Sequence, residues 1–221
     1  MKHMALVAVA TTALLSTLAT RADAQACLGL GSLTAQPTNA TFTALFSDGS
    51  KALDARVGFG SSIAFGGVSA QLQDYDGIDG TGKSIGVDGG LSFITGASRN
   101  ITFCPIASLG YTSLPDGGSS AYSASTTDGA AGVAIGARVG TTSSVALIPF
   151  ASLQGVYSRI SIDGPSGGSG SDNDTYGLLS GGVSFVLSSS VLIRPVITLP
   201  LGLEGSDPSY GIGVSFGFGK R

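Results

Sequence analysis

Apolar residues alternate with small or polar ones along most of this chain. The alternation is strictest near the C-terminus, where Tyr210, Ile212, Val214, Phe216 and Phe218 alternate with Gly211, Gly213, Ser215 and Gly217. A period of two is that of a β-strand with one apolar face. Beyond Leu18 the chain has no continuous apolar run long enough for a spanning helix. The sequence is therefore predicted to fold as an all-β protein.

Three of the predicted strands repeat one pattern around Pro105, Pro149 and Pro195. The face that is apolar in all three copies carries Phe103, Ala107 and Leu109, then Leu147, Ala151 and Leu153, then Ile193, Ile197 and Leu199. The opposite face contains both polar and apolar residues, as expected of strands with one apolar face. Because proline cannot donate to a β-ladder, we expect the three prolines at bulges or strand ends.

The N-terminus has the pattern of a secretory signal peptide. Lys2 precedes the apolar run Met4–Leu18, and Ala22-Asp23-Ala24 is an A-x-A cleavage pattern, so residues 1–24 are predicted to be removed before Gln25. The run is shorter than the roughly 20 apolar residues of a spanning helix. The chain is therefore expected to be exported and released.

Residues 25–37 show no periodicity and are interpreted as a periplasmic lead-in, followed by a β-domain over residues 38–221. Cys27 leaves a lipoprotein signal as an alternative, although Ala24-Gln25-Ala26 lacks the large aliphatic residue that such sites usually carry.

The chain is unusually poor in charge. Two of the 11 Lys and Arg and one of the 14 Asp and Glu lie in residues 1–24, so the mature chain has a formal net charge of about −4. An acidic balance argues against a nucleic-acid partner. Only 11% of the residues are charged and the mean hydropathy is +0.37, whereas a soluble surface is about a quarter charged or more. Alternating strands whose apolar face contacts lipid account for both properties.

Short turns alternate with longer polar connections along the β-domain. The longer ones are predicted at Asp74–Lys83, Thr112–Gly129 and Ile160–Thr175. Such alternation is typical of a membrane barrel with long outer loops and tight periplasmic turns. We predict about ten strands, with eight as the alternative, because an even number including Thr38–Phe46 returns both termini to one side.

The alternation changes parity between Phe65 and Val68, with Gly66-Gly67 at the change. This predicts a glycine bulge or kink in that strand.

Aromatic residues differ between the two ends of the predicted strands. Phenylalanines lie toward short turns, whereas the tyrosines beside long loops are predicted to form a girdle at the membrane–water boundary. These tyrosines are Tyr75, Tyr111, Tyr157, Tyr176 and Tyr210.

The signal peptide, the alternating strands and the aromatic-rich final strand resemble the small bacterial outer-membrane β-barrel proteins of the outer-membrane protein A-like class. The resemblance implies a closed antiparallel up-and-down transmembrane barrel in the cell outer membrane. It also implies contact with outer-membrane lipid and with the barrel-assembly machinery during biogenesis. The alternative is a secreted soluble β-sandwich that binds a partner, which the three prolines favour.

Catalytic chemistry has little support in the sequence. The only histidine is His3, inside the predicted signal peptide, so enzymes that need a histidine base are excluded and we expect no enzymatic activity. Asp74, Asp76 and Asp79 have partial calcium-loop spacing, but Ile78 stands where an oxygen ligand is needed. Asp172 and Asp174 are likewise interpreted as surface acids. We therefore predict no metal site and no cofactor.

The two cysteines, Cys27 and Cys104, could form a disulfide in an oxidising compartment or remain free thiols. A bridge between them would pin the lead-in across the barrel mouth and partly plug it.

A few polar side chains are predicted to face the barrel lumen: Arg56, Gln71, Gln73, Asp88, Arg138, Gln154 and Arg194. They are interpreted as an ion-pair network that fills a narrow lumen, or as a charged constriction that selects small solutes. Because an unpaired charge there would be costly, Asp88 is expected to face Arg138 or Arg194. The predicted function is structural, anchoring or surface-interacting, with a narrow passive pore as the alternative and an extracellular partner that the sequence does not identify.

The predicted faces also imply a difference between neighbouring positions of one strand. An arginine at Ile135, on the lipid face, is expected to cost about 2–4 kcal/mol of stability, and an arginine at Ala134, on the inner face, is expected to cost less.

Overall fold

The computed structural model describes Cys27 and residues 38–61, 63–95, 101–115, 123–139, 146–164, 169–188, 190–203 and 206–218. The predicted signal peptide, its cleavage position and the lead-in apart from Cys27 lie outside the described residues and stay predictions. The described part of the chain contains no helix long and apolar enough to cross a membrane.

Eleven strand segments occur among the described residues. They are β1 Thr38–Ser47, β2 Ser50–Gly60, β3 Ala64–Tyr75, β4 Thr81–Leu91, β5 Phe93–Thr95, β6 Ile101–Ser113, β7 Ser123–Ala137, β8 Ala146–Asp163, β9 Ser169–Val186, β10 Val191–Leu201 and β11 Ser209–Phe218. β4 and β5 both pair with β6 in one register and form a single strand interrupted at Ser92. The barrel therefore has ten strands, which confirms the predicted number and the first strand.

Each strand pairs antiparallel with its neighbours in sequence, and β1 pairs with β11 to close the sheet. The result is a single closed up-and-down barrel, so the β-sandwich alternative was wrong. Thr38 lies opposite Phe218, which puts the start of β1 and the end of β11 at the same end of the barrel. We call this the terminal end and the opposite one the loop end.

The outer wall of the barrel is apolar. Large hydrophobic side chains are exposed on strand after strand, with Ile85 at 65% and Leu109 at 64% among the most exposed. On the inner face of β1, by contrast, Asn39, Thr41 and Thr43 are buried. This arrangement is that of a sheet whose outside meets lipid, because exposing such a wall to water would forfeit the hydrophobic stabilisation of folding.

The three repeated prolines each lie beside a one-sided interruption of the β-ladder. Pro105 pairs with β7, and the ladder on its other side is the one that breaks between β4 and β5. Pro149 pairs with β9, and the continuous ladder between β8 and β7 ends one residue away. Pro195 pairs with β11, and the ladder to β9 is interrupted beside it. The three prolines therefore lie within strands and not at bulges or strand ends. Each strand stays paired on one side of its proline, and the missing N–H donor falls on the other side, where the ladder is interrupted.

The predicted bulge at Gly66-Gly67 was wrong. β3 pairs with β2 and with β4 in unbroken register through both glycines. Phe65 is 7% exposed and faces inward, on the same side of β3 as Ser69 and Gln71. The sequence pattern changes parity at this point because an aromatic residue occupies the inner face.

The predicted long loops at Thr112–Gly129 and Ile160–Thr175 are largely strand. β7 already begins at Ser123, opposite Asp163 at the end of β8, and β8 and β9 are 18 residues each. The added part of β9 is polar on both faces, which is why its composition indicated a loop, whereas β8 continues with Ile160 and Ile162 on one face. At Asp74–Lys83 the strands likewise extend to Tyr75 and from Thr81.

Ala134 and Ile135 face opposite sides of β7, as the alternation predicts, but Ala134 is not at an open inner position. Ala134 is 2% exposed and packs in an apolar cluster inside the barrel, so an arginine there would also be buried. Ala130, on the same inner face, lines a cavity and is the suitable inward position.

We predict that Ile135→Arg lowers the free energy of unfolding by about 2–4 kcal/mol, because it places a charge on the lipid face. Ala130→Arg should cost less, because its charge reaches a polar cavity. Denaturant titration of the protein folded into phospholipid vesicles measures both losses. Equal losses, or the reverse order, would contradict the assignment of the two faces.

Candidate functional site in the barrel lumen

The terminal half of the lumen contains a disulfide. Cys27 is bonded to Cys104, and the two residues are 1% and 0% exposed. Phe65 and Ala134 pack against them, with Ile106 at the margin of the cluster. We call these five residues the apolar plug. Of the two states that the sequence allowed for the cysteines, the structure contains the bridged one.

A second group of apolar side chains lies inside the barrel at the same end. Ile148 and Val186 are buried together with Ala146 beside them, and Leu192 is fully buried. These residues lie at the start of β8, the end of β9 and the start of β10, all at the terminal end. The terminal half of the lumen is therefore filled by side chains on both sides of the barrel.

Above the plug, Arg56 of β2 and Asp88 of β4 form a bidentate ion pair. Arg56 Nε donates to Asp88 Oδ1 at 2.7 Å and Arg56 Nη2 donates to Asp88 Oδ2 at 2.6 Å. Their side chains are 14% and 28% exposed, so the pair is shielded but not dry. Two parallel charge-assisted hydrogen bonds fix the orientation of both groups more tightly than a single contact would.

The ion pair spans an intervening strand, and a glycine makes this possible. Arg56 lies opposite Ser69 of β3, whereas Asp88 lies opposite Gly67 of the same strand. A Cβ atom at Gly67 would collide with the Arg56 guanidinium, and one at Gly58 would collide with its Nη1. The guanidinium therefore lies flat against the wall at positions where only glycine leaves room.

A second arginine faces the same space from a strand three positions from β2 around the barrel. Arg194 of β10 lies over the ring of Phe150, with 5.8 Å from its Cζ to the ring centroid, a cation–π distance. Arg194, Arg56, Asp88 and Gln154 line a cavity of about 220 Å³. Asp54 also lies on the inner face of β2, so the layer holds two arginines and two aspartates and is balanced in charge.

The loop half of the lumen is polar and roomier. A cavity of about 330 Å³ is lined by Ser69, Gln71, Ser84, Ser108, Thr112 and Asp128, among others. Ser84 and Thr112 share a hydrogen bond of 2.8 Å, and Asp128 accepts one of 2.6 Å from Ser158. Asp88 and Ser108 line both cavities. The cavity of the loop half therefore adjoins the cavity of the arginine layer at Asp88 and Ser108.

Six of the seven predicted lumen residues lie on the inner wall, but two expectations about arginines were wrong. Arg138 follows the last residue of β7 and is exposed. Its position in the alternation is an inward one, but at the rim of the barrel an inward position need not be buried. The hydrogen-bonded partner of Asp88 is Arg56, not Arg138 or Arg194. Gln73 is also inside, where its Nε2 donates to Ser50 Oγ at 3.1 Å.

The sequence contained a signal for the Arg56–Asp88 pair that strand assignment alone did not use. Once β2, β3 and β4 are set in register, the side chains are one inward position apart across β3, and the intervening inward residue is Gly67.

Three of the five predicted girdle tyrosines face outward: Tyr111, Tyr157 and Tyr210 are about half exposed. Tyr75 and Tyr176 lie on the inner face instead, so their assignment to the girdle was wrong. Their parity explains the difference, since Tyr75 shares the inward face with Gln71 and Gln73, and Tyr176 shares it with Ser184.

No group of three or more His, Cys, Asp or Glu side chains that could hold a metal ion occurs in the described part of the chain. In the predicted acidic loop, Asp74 accepts a hydrogen bond of 2.8 Å from Thr81. The lumen thus contains an ion pair, hydroxyls and amides around space, an arrangement suited to filling or lining a barrel.

The closed sheet, the apolar outer wall and the polar inner wall define a transmembrane β-barrel. No protein-family model matches the chain, and no curated protein matches its sequence. Among solved structures, it is similar to the N-terminal β-barrel domain of Pseudomonas aeruginosa OprF, at 14% identity and a TM-score of 0.40 over 83% of this chain and 98% of that one.

The chain is also similar to Ail, the attachment invasion locus protein of Yersinia pestis, at 12% identity and a TM-score of 0.43, covering 83% of this chain and 99% of that one. Neisserial surface protein A gives 13% identity and a TM-score of 0.38, with 82% and 94% covered. The assignment of a closed barrel rests on the strand pairing and not on these similarities.

We predict that Asp88→Ala lowers the free energy of unfolding by about 2–4 kcal/mol, because it leaves the shielded Arg56 guanidinium without its carboxylate. In a double-mutant cycle with Arg56→Ala, the two losses should be non-additive by at least about 1 kcal/mol. Denaturant titration of the two single variants and the double variant measures this coupling. Additive losses would show that the pair contributes nothing to the barrel.

Gly67→Ala should displace the Arg56 guanidinium and cost about 1–3 kcal/mol, as other overpacking substitutions do. The matched control is Gly155→Ala, also within a strand, where a Cβ meets nothing within 4 Å. The control should stay within about 0.5 kcal/mol of the wild type. If both substitutions cost the same, the glycine at position 67 does not serve the arginine.

Proposed function

We propose that this protein is an integral outer-membrane β-barrel with a closed lumen and a structural, anchoring or surface-interaction role. The observation that carries the proposal is the apolar plug, in which Cys27 and Cys104 are bonded and fully buried with Phe65 packed against them. A barrel filled in this way presents its walls to lipid and its loop end to the surroundings.

The chemistry of the plug favours closure over selection. A selective constriction uses polar or charged side chains that replace the hydration of the passing solute, whereas an apolar constriction excludes water. The charged layer of Arg56, Asp88 and Arg194 lies on the loop side of the plug, not within it. A solute that reached the arginines from the loop end would next meet a disulfide and an aromatic ring.

The placement of the chain ends supports an orientation in the membrane. Both termini of the barrel are at the terminal end, and the longest strands project from the loop end. In outer-membrane barrels the short turns are periplasmic and the longer elements extracellular. The terminal end would therefore face the periplasm, where the predicted signal peptide delivers the chain and the barrel-assembly machinery inserts it into outer-membrane lipid.

The second candidate function is a narrow passive pore. It is favoured by two adjoining cavities, one in the loop half and one that two arginines and Gln154 line. This pore would need the plug to move or to leave a water-filled path beside it.

Single-channel recording in planar lipid bilayers tests the closed lumen. The wild type should show no ion conductance, whereas Phe65→Ala/Ile106→Ala, which removes two plug side chains, should conduct. The matched control is Phe103→Ala/Ile135→Ala, a pair that lies opposite one another on the outer wall, and this variant should stay silent. Stepwise conductance by the wild type would contradict the closed lumen and support the pore.

A further inference from the structure

Among the described residues, the loop end of β9 is paired on one side only. β9 pairs with β8 along its whole length, from Ser169 opposite Asp163 to Val186 opposite Ala146. Its pairing with β10 begins only at Gly177, opposite Leu201. Residues 169–176 therefore present an edge to which no described residue is paired.

This edge is exposed. All side chains from Ser169 to Thr175 are classed as exposed, and the segment stands beyond the apolar band that Tyr157 borders. An exposed strand edge carries a row of unpaired N–H and C=O groups, and it is a template for pairing with another strand. The most available partner for such an edge is the same edge of a second copy, paired antiparallel about a two-fold axis.

Two aspartates on this segment cover backbone donors. Asp172 Oδ1 accepts a hydrogen bond of 2.8 Å from the N–H of Asn173, and Asp174 Oδ1 accepts one of 2.7 Å from the N–H of Thr175. Successive N–H groups of a strand point to opposite sides, so these two donors belong to the same row. Since the row that faces β8 is satisfied by carbonyls of β8, the row covered by the aspartates is the free edge.

We propose that Asp172 and Asp174 guard the free edge of β9 by capping its N–H groups, and so prevent edge-to-edge pairing with a second copy of this chain. A docking strand would have to displace both carboxylates to reach the donors. Two-fold pairing would also bring four aspartates together across the new ladder, and like charges opposite one another oppose strand pairing. With its edge capped in this way, the hairpin of β8 and β9 stays unpaired with a second copy of the chain.

Three double variants separate capping from charge. Asp172→Ala/Asp174→Ala removes both the caps and two charges. Asp172→Asn/Asp174→Asn removes the charges but retains an oxygen that can accept the same hydrogen bonds. Asp79→Ala/Asp163→Ala removes two exposed carboxylates of the loop end that cover no edge donor.

Sedimentation equilibrium of the protein in detergent micelles, over a range of protein concentrations, measures self-association. The alanine variant should dimerise with a dissociation constant at least about tenfold lower than that of the wild type. The control should behave as the wild type does, and the asparagine variant, which retains the caps, should associate less strongly than the alanine variant. An alanine variant that stays monomeric, or an asparagine variant that associates as strongly as the alanine one, would overturn the proposal.

Amide hydrogen exchange provides a second readout that does not depend on association. At concentrations where the alanine variant is monomeric, the amides of Asn173 and Thr175 should exchange at least about tenfold faster than in the wild type. Unchanged exchange at both amides would show that they are not capped by the aspartates.

Discussion

The requirement that every backbone N–H and C=O within lipid be paired dominates this structure, because hydrocarbon offers no other partner. The sheet meets the requirement by closing on itself through the pairing of β1 with β11. Pro105, Pro149, Pro195 and Pro200 lack a donor within strands, and each of the first three is beside a ladder interruption on one side while it stays paired on the other. Closure thus tolerates three local breaks without creating an edge in the membrane.

Closure also determines what the interior can hold. A ten-stranded barrel leaves a narrow lumen that side chains must fill or hydrate, and this one does both in different halves. The plug around the Cys27–Cys104 disulfide fills the terminal half, whereas hydroxyls and amides line space in the loop half. At the boundary between them Arg56 reaches Asp88 across β3 only because Gly67 has no side chain.

The barrel itself could be predicted from sequence because period-two alternation and low charge are properties of each strand alone. The predictions that were wrong concerned features that depend on how neighbouring strands are paired. Phe65 resembled a lipid-facing residue until the register of β3 placed it inside, and Asp88 was assigned the wrong arginine because partners across a strand are set by register. The extension of β9 was missed because a strand that is polar on both faces has no periodic signal.

The central claim is that the sheet is a transmembrane barrel whose two faces meet lipid and lumen in strict alternation. The chain contains no tryptophan, so single tryptophans introduced along β3 report their own surroundings. With brominated lipids as quenchers, tryptophan at Val68, Ala70 or Leu72 should be quenched, and tryptophan at Ser69 or Gln71 should not. Uniform quenching along the strand, or none at any of the five positions, would contradict the barrel in the membrane.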